Sequence, residues 1–121
     1  MSFSVVLTDA FKRNAKKLAK KYPSLGKDIS GLIKHLEIDP YQGVRLSAKV
    51  FKIRVAITSK GRGKSGGGRV IYYYPKQGAA DEVTIYFITI YDKSAIKNIP
   101  DHIIDSLIRD AGIGHDDDNH R

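Results

Sequence analysis

The sequence predicts an α+β domain: an N-terminal strand and a two-helix hairpin packed on a small, mainly antiparallel sheet, with a short helix at the C-terminal end. Two observations predict it. Apolar residues between Phe11 and Leu36 recur at the three-to-four spacing of amphipathic helices, whereas from Val50 to Tyr91 they come in β-branched and aromatic runs. The chain also groups its helices and strands rather than alternating them, which disfavours a parallel doubly wound sheet.

Phe3 to Leu7 is a short β-rich run, and Thr8 or Asp9 can cap the helix that follows. Phe11, Ala15, Leu18, Ala19 and Tyr22 form the apolar stripe of that helix, with lysines on its other face. Pro23 ends it, because proline cannot continue the hydrogen-bond ladder, and Ser24 can open a second helix with the stripe Leu25, Ile29, Leu32, Ile33 and Leu36. Pro40 and Gly43 break the helical pattern. In Val50 to Ile57 the residues Phe51, Ile53 and Val55 alternate with Lys52 and Arg54, as in a strand with one buried and one wet face. Arg69 to Tyr74 and Val83 to Tyr91 are the next strands, joined by a hairpin loop. The second of these is apolar at nearly every residue and is expected inside the sheet. Pro100 suits the first helical position, and Ile103, Ile104, Leu107 and Ile108 make a short amphipathic helix. Residues 1–112 are expected to form one domain, and 113–121 a disordered polar tail.

The chain has 121 residues and no cysteine, which excludes disulfides and thiolate metal sites and fits the cytoplasm. No stretch approaches the apolar length that spans a bilayer, and no membrane association is expected. Twenty-one Lys and Arg against 13 Asp and Glu give a net charge of +8, which points to a polyanionic partner. The segment from Arg45 to Arg69 holds Lys49, Lys52, Arg54, Lys60, Arg62 and Lys64 without an Asp or Glu. A second basic group, Lys12 to Lys27, lies on the first helix and just beyond it. Its lysine face is solvated first and a nucleic-acid surface only second.

Gly61 to Arg69, GRGKSGGGR, contains the GKS of phosphate-cradling nucleotide loops. Thr58 stands where that pattern needs its first glycine, and a strand rather than a helix follows, so the nucleotide-hydrolase reading fails. Lys52 and Arg54, two apart on a strand, share a face, and antiparallel pairing across the glycine segment brings Arg69 beside them. Tyr91 and Lys93 sit at a strand end beside a loop, a usual place for functional side chains. Such cations and a tyrosine suit a phosphodiester, with charge balancing phosphate and the ring stacking on a base. The plain alternative for Lys52 and Arg54 is the solvated face of a half-buried strand, and for Tyr72, Tyr73 and Tyr74 it is sheet packing. His35 and His102 have no partner at metal-ligand spacing, and His115 and His120 lie in the tail with Asp116 to Asp118, where solvated disorder outweighs a loose metal site, so neither a metal nor another cofactor is expected. Any acid-base chemistry falls to Lys, Arg or Tyr.

FKIRVAITSKGRGKSGGGRVIYYY (Phe51 to Tyr74) followed by ITIYDKS (Ile88 to Ser94) resembles the RelE/ParE superfamily of bacterial toxins, especially its HigB-like branch. The K-x-R strand, the G-x-G-K-x-G-G-x-R segment, the I-Y-Y run and the later Y-x-K occur in the family's order, and the resemblance spans about residues 3 to 108. It implies a RelE-like fold and the toxin of a type II toxin-antitoxin system. Such a toxin is a ribosome-dependent endoribonuclease that cleaves messenger RNA in the ribosomal A site. It is neutralised by a cognate antitoxin with a helix-turn-helix domain, and it meets operator DNA only through that antitoxin. In such enzymes the ribose 2′-OH attacks the adjacent phosphate.

By motif position, Lys52 and Arg54 are implied to hold the phosphate, with Lys52 a candidate base, and Arg69 to face the transition-state charge. Tyr91 or Lys93 is implied to stack on or protonate the substrate. Arg62, Lys64, Lys49 and Lys60 are the expected RNA-backbone contacts. The chain departs from many RelE-like enzymes in having no arginine between Tyr91 and Arg109 and no tyrosine after Tyr91, which leaves the general acid unassigned. The rival readings are a ParE-like, non-catalytic inhibitor of DNA gyrase and a catalytically inactive RNA-binding module.

Overall fold

Thr8 ends the first strand and starts the first helix. The computed structural model describes residues 2–60, 67–75 and 82–113, with β1 at Ser2–Leu7 and α1 at Asp9–Lys21. The Thr8 hydroxyl accepts from the Phe11 N–H at 3.3 Å, satisfying one orphan donor of α1, and donates to the Phe87 carbonyl at 2.8 Å. Of the two capping candidates Thr8 is the one used, and Asp9 occupies the first turn, where a negative charge complements the helix dipole. Tyr22, Pro23 and Ser24 then turn the chain into α2 (Leu25–Ile38).

Beyond the Pro40 break come β2 (Val44–Arg45), β3 (Val50–Val55), a 3₁₀ turn at Thr58–Lys60, β4 (Gly68–Tyr73), β5 (Glu82–Asp92) and α3 (Asp101–Asp110). The sheet order is β1-β5-β4-β3-β2. Among the described residues β1 and β5 form the one parallel pair and the others are antiparallel, so the fold is α+β with a mixed, mainly antiparallel sheet. The apolar β5 is interior, with β1 on one side and β4 on the other.

Period-2 alternation sends the two halves of each strand to opposite faces. One face carries Phe51, Val55, Val70, Tyr72, Ile85 and Phe87 and packs on Phe11, Leu25, Leu32 and Leu36 of the helical hairpin. Phe51 stacks on Tyr72 with centroids 5.2 Å apart and planes 11° apart, and Phe11 meets Phe87 edge-on at 5.2 Å. The other face carries Val50, Ile71, Tyr73, Ile88 and Tyr91 and packs on Ile104 of α3. Leu107 and Ile108 of α3 pack against this second cluster, which reaches along β5 to Tyr91.

Two boundaries differ from the sequence expectation. Pro100 is the residue before α3 rather than its first turn, since its backbone is extended (φ −59°, ψ 147°). Ile113, assigned to the polar tail, packs against the α3 side of the core, where an isoleucine gains more from burial than from solvent. The rest of the tail lies outside the described residues. Among the described residues no helix is long and apolar enough to cross a membrane.

Candidate active site

Strand register sets the site. Arg54 of β3 lies directly opposite Arg69 of β4, and Arg69 lies directly opposite Tyr91 of β5. Neighbouring strands are about 4.8 Å apart, so this three-residue row spans roughly 10 Å, the reach of a phosphodiester and its flanking sugars. One step along the strands, Lys52 is opposite Ile71 on the same face. The pairing needs glycine at 68, where a Cβ would lie 3.1 Å from the Tyr91 carbonyl oxygen and 3.2 Å from the Val55 side chain. Thus Gly68 lets three strands close tightly beside the row.

The row is electrostatically loaded. Arg54 is exposed, whereas Arg69 is 7% exposed and Tyr91 3%. Burial, and next the Arg54 guanidinium, shift the Arg69 pKa below its usual value, while Tyr91 opposes the shift. Burial pushes the Tyr91 phenol up and Arg69 pulls it part of the way back. The Tyr91 hydroxyl is buried without a hydrogen-bond partner among the described residues, so its desolvation is not offset by a bond. Like charges set directly opposite one another in a sheet oppose folding, so this arrangement is not what packing alone favours.

Lys52 is held from the far side of the site: its Nζ donates to Asn98 Oδ1 at 3.1 Å. A depression of about 390 Å³ adjoins it, walled by Leu46, Lys52, Ile71 and Tyr91 of the sheet side and by Asn98 to Asp101 and Ile104 at the start of α3. A larger groove of about 480 Å³ runs between α2 and the outer edge of β3. It touches Lys52 and Arg54 but neither Arg69 nor Tyr91, whereas the smaller depression touches Lys52 and Tyr91 but neither arginine, so Lys52 is the residue the two share.

No model of a known protein family and no curated protein matches this chain.

The remaining sequence candidates divide. Lys93 Nζ donates to the Lys97 carbonyl at 3.0 Å, and its backbone N–H donates to the Gly67 carbonyl at 3.1 Å, so it fastens the exit of the glycine segment. Lys49 is half-buried in the β2–β3 connection, where its carbonyl accepts from Tyr74 N–H at 2.8 Å. Arg62 and Lys64 lie outside the described residues.

Lys60, expected from the sequence as an RNA contact, is held within the fold by an ion pair. Its Nζ is 2.6 Å from Asp92 Oδ1 and 2.9 Å from Ser94 Oγ, with the two side chains of the ion pair 9% and 5% exposed. It is committed to the fold because a charge at that burial needs a counter-charge. Asp92 also accepts from the Tyr22 hydroxyl at 2.8 Å and from the Ser94 N–H and hydroxyl at 3.0 and 2.7 Å. Burial alone would raise the Asp92 pKa, but the bonds from Lys60, Ser94 and Tyr22 outweigh it and hold the carboxyl well below the usual carboxylate range. A second carboxylate, Asp28, accepts from the Thr58 N–H at 3.0 Å, the Thr58 hydroxyl at 2.6 Å and the Ser24 hydroxyl at 2.7 Å. The turn that enters the glycine segment is therefore tied to α2 and to the end of β5.

Sequence reasoning missed Asn98 and Asp92. Asp92 sits between the two flagged residues Tyr91 and Lys93, and strand alternation would have turned it to the opposite face, toward the helices. Nothing local marks Asn98. Among the described residues no group of three or more His, Cys, Asp or Glu is placed to hold a metal ion.

Proposed function

We propose that this chain is a RelE-like toxin, an endoribonuclease that cleaves messenger RNA on the ribosome by 2′-OH attack and is neutralised by a cognate antitoxin in the cytoplasm. The observation that supports this reading most is the Arg54–Arg69–Tyr91 row: two arginines lie opposite each other in the register of neighbouring strands, and the buried one lies opposite a tyrosine whose hydroxyl has no hydrogen-bond partner among the described residues. A fold that sets like charges together gains from an anion between them, and a pentavalent phosphorane carries more negative charge than the ground-state diester.

In this mechanism Arg54 and Arg69 bind the scissile phosphate and stabilise the charge that develops on it. Arg69 supplies the larger part, since its burial weakens water's screening. Lys52, oriented by Asn98 and one step along the strand, is the candidate base that takes the proton of the attacking 2′-OH. Tyr91 keeps its proton at neutral pH, because burial raises its pKa, and fills the role of general acid toward the leaving 5′-oxygen. This assignment answers the lack of any later tyrosine in the sequence. The antitoxin covers the row with an acidic segment, matching the chain's net charge of +8.

The test is primer extension on message from a cell-free translation reaction containing the purified chain, with Arg69→Ala and ribosome-free RNA alongside. Cuts at codon positions that need ribosomes and fall by about 10²–10³-fold in Arg69→Ala are expected, the range for removing one preorganised donor of transition-state charge stabilisation. Intact message with the wild-type chain refutes the nuclease reading and turns attention to gyrase inhibition, read by DNA supercoiling.

A further inference from the structure

The outer edge of β3 is only partly covered. β2 pairs with Phe51 and Lys52, and no described strand continues along Ile53 to Val55 on that side. The bonds that are made set the direction of the backbone there. The Val50 carbonyl accepts from the Leu46 N–H at 2.8 Å, so Val50 turns its backbone groups outward toward β2, and alternation along an antiparallel strand turns those of Lys52 and Arg54 the same way. Lys52 has Val44 opposite it. Arg54 has no described residue opposite it on this side, which leaves its N–H and C=O as a donor and an acceptor for another strand. The groove of about 480 Å³ lies along this edge, bounded by Lys52 to Ala56 and, on α2, by Lys27, Gly31 and His35. Gly31 leaves it wide, since an added Cβ there meets nothing within 4 Å.

We propose that this edge binds an extended segment of a partner protein as an added strand, with acidic and apolar residues alternating along it. Residues directly opposite one another in a sheet share a face. The segment's residue opposite Arg54 thus lies on the face of the arginine row, where Asp or Glu meets the guanidinium. Its two neighbours lie on the face of Ile53 and Val55, which packs toward the helices, and there apolar side chains fit. The charge of the groove favours the same partner. Lys27, Lys52 and Arg54 line it, and its one carboxylate among the described residues, Asp28, already accepts from Thr58 and Ser24. A second copy of this chain is the wrong occupant, because pairing two such edges brings Lys52 and Arg54 of one copy among those of the other. An acidic strand seated here caps the exposed end of the row, so docking and neutralisation become one event. That regulatory meaning rests on the nuclease reading, but the binding needs neither ribosomes nor cleavage.

The probe is a synthetic peptide of about six residues, the usual strand length, in which Glu and Val alternate and both ends are capped. It is titrated into the full chain and followed by ¹H–¹⁵N chemical shifts, which are expected to move at Arg54, Ala56 and Gly31. A peptide of the same composition with Glu and Val in two blocks should bind about tenfold more weakly, the loss of a pair of backbone hydrogen bonds and their register. N-methylation at the Glu nitrogens, which face Arg54, should weaken the alternating peptide by a similar factor, whereas N-methylation at the Val nitrogens, which face away, should not. Gly31→Phe, first checked for an unchanged fold by its spectrum, should fill the groove and weaken binding without touching the row. Equal binding of the alternating and block peptides, equal effects of the two methylations, or no shifts at about 10 mM peptide each overturns the proposal. So does a uridine oligonucleotide that shifts the groove amides where the peptide does not. Peptide binding by a chain that leaves message intact upholds the edge and refutes the nuclease reading; cleavage without peptide binding does the reverse.

Discussion

Replacing Asp92 by Asn tests whether the ion pair at the foot of the glycine segment holds the fold. The substitution keeps the shape of the side chain but leaves the Lys60 ammonium, 9% exposed, without its counter-charge 2.6 Å away. Removing one partner of a buried pair costs about 3–5 kcal/mol. The lower end applies here, because the amide keeps part of the bonding to Tyr22 and Ser94. A loss of about 3 kcal/mol corresponds to a drop of roughly 10 °C in Tm for a chain of this size. Urea denaturation at neutral pH measures it.

The pH dependence supplies a second, independent sign. The folded carboxyl is held below its unfolded value, so its contribution is complete above about pH 4 and is lost as the pH falls further. The stability gap between wild type and Asp92→Asn should therefore narrow progressively below pH 4. Adding Lys60→Met to Asp92→Asn should recover stability, because no charge is then left buried. A loss below about 1 kcal/mol, a gap that stays constant from neutral pH to about pH 2, or no recovery in the double variant would refute the reasoning.

Two further substitutions separate packing from chemistry. Tyr91→Phe removes a buried hydroxyl that has no partner, so denaturation should show unchanged or raised stability, by up to about 1 kcal/mol, while message cleavage falls at least tenfold; lost stability with full activity would contradict both roles. Tyr72→Phe removes a hydroxyl that donates to the Pro40 carbonyl at 2.7 Å and accepts from the Gly43 N–H at 3.1 Å, in a phenol whose pKa burial pushes up to about 12. It should cost about 1–3 kcal/mol in urea denaturation with cleavage retained in the folded protein.

The features legible in the sequence are those written at short range. The stripes of α1 and α2, the stop at Pro23 and the alternation around Lys52 and Arg54 all follow from spacing within a few residues. That Arg69 would come beside Arg54 needed one further step, antiparallel pairing across the glycine segment. Its direct opposition to Arg54 needed the register, which depends on how Gly68 seats between Val55 and Tyr91. Nothing in the spacing announces that β1 lies parallel to β5, since that pairing joins residues about 80 positions apart. The same limit hid the partners of the lysines. Lys52 and Asn98 are separated by 46 positions and Lys60 and Asp92 by 32, and a lysine without a visible partner reads as solvated.

Strand alternation ties the site to the stability of its surroundings. At the end of β5, Tyr91 points to the arginine row, Asp92 to the opposite face, and the Lys93 N–H to the Gly67 carbonyl. Those three consecutive residues touch the chemistry, the entry of the glycine segment through Lys60, and its exit. Lys60 and Gly67 are thus both anchored at the end of β5, with Arg69 two residues past Gly67. The Arg69 guanidinium is itself bonded within this frame, its Nη1 donating to the Gly68 carbonyl at 3.0 Å. The buried Asp92–Lys60 pair, of little net value against a hydrophobic replacement, fixes instead the position of the 3₁₀ turn against the end of β5, one residue from Tyr91.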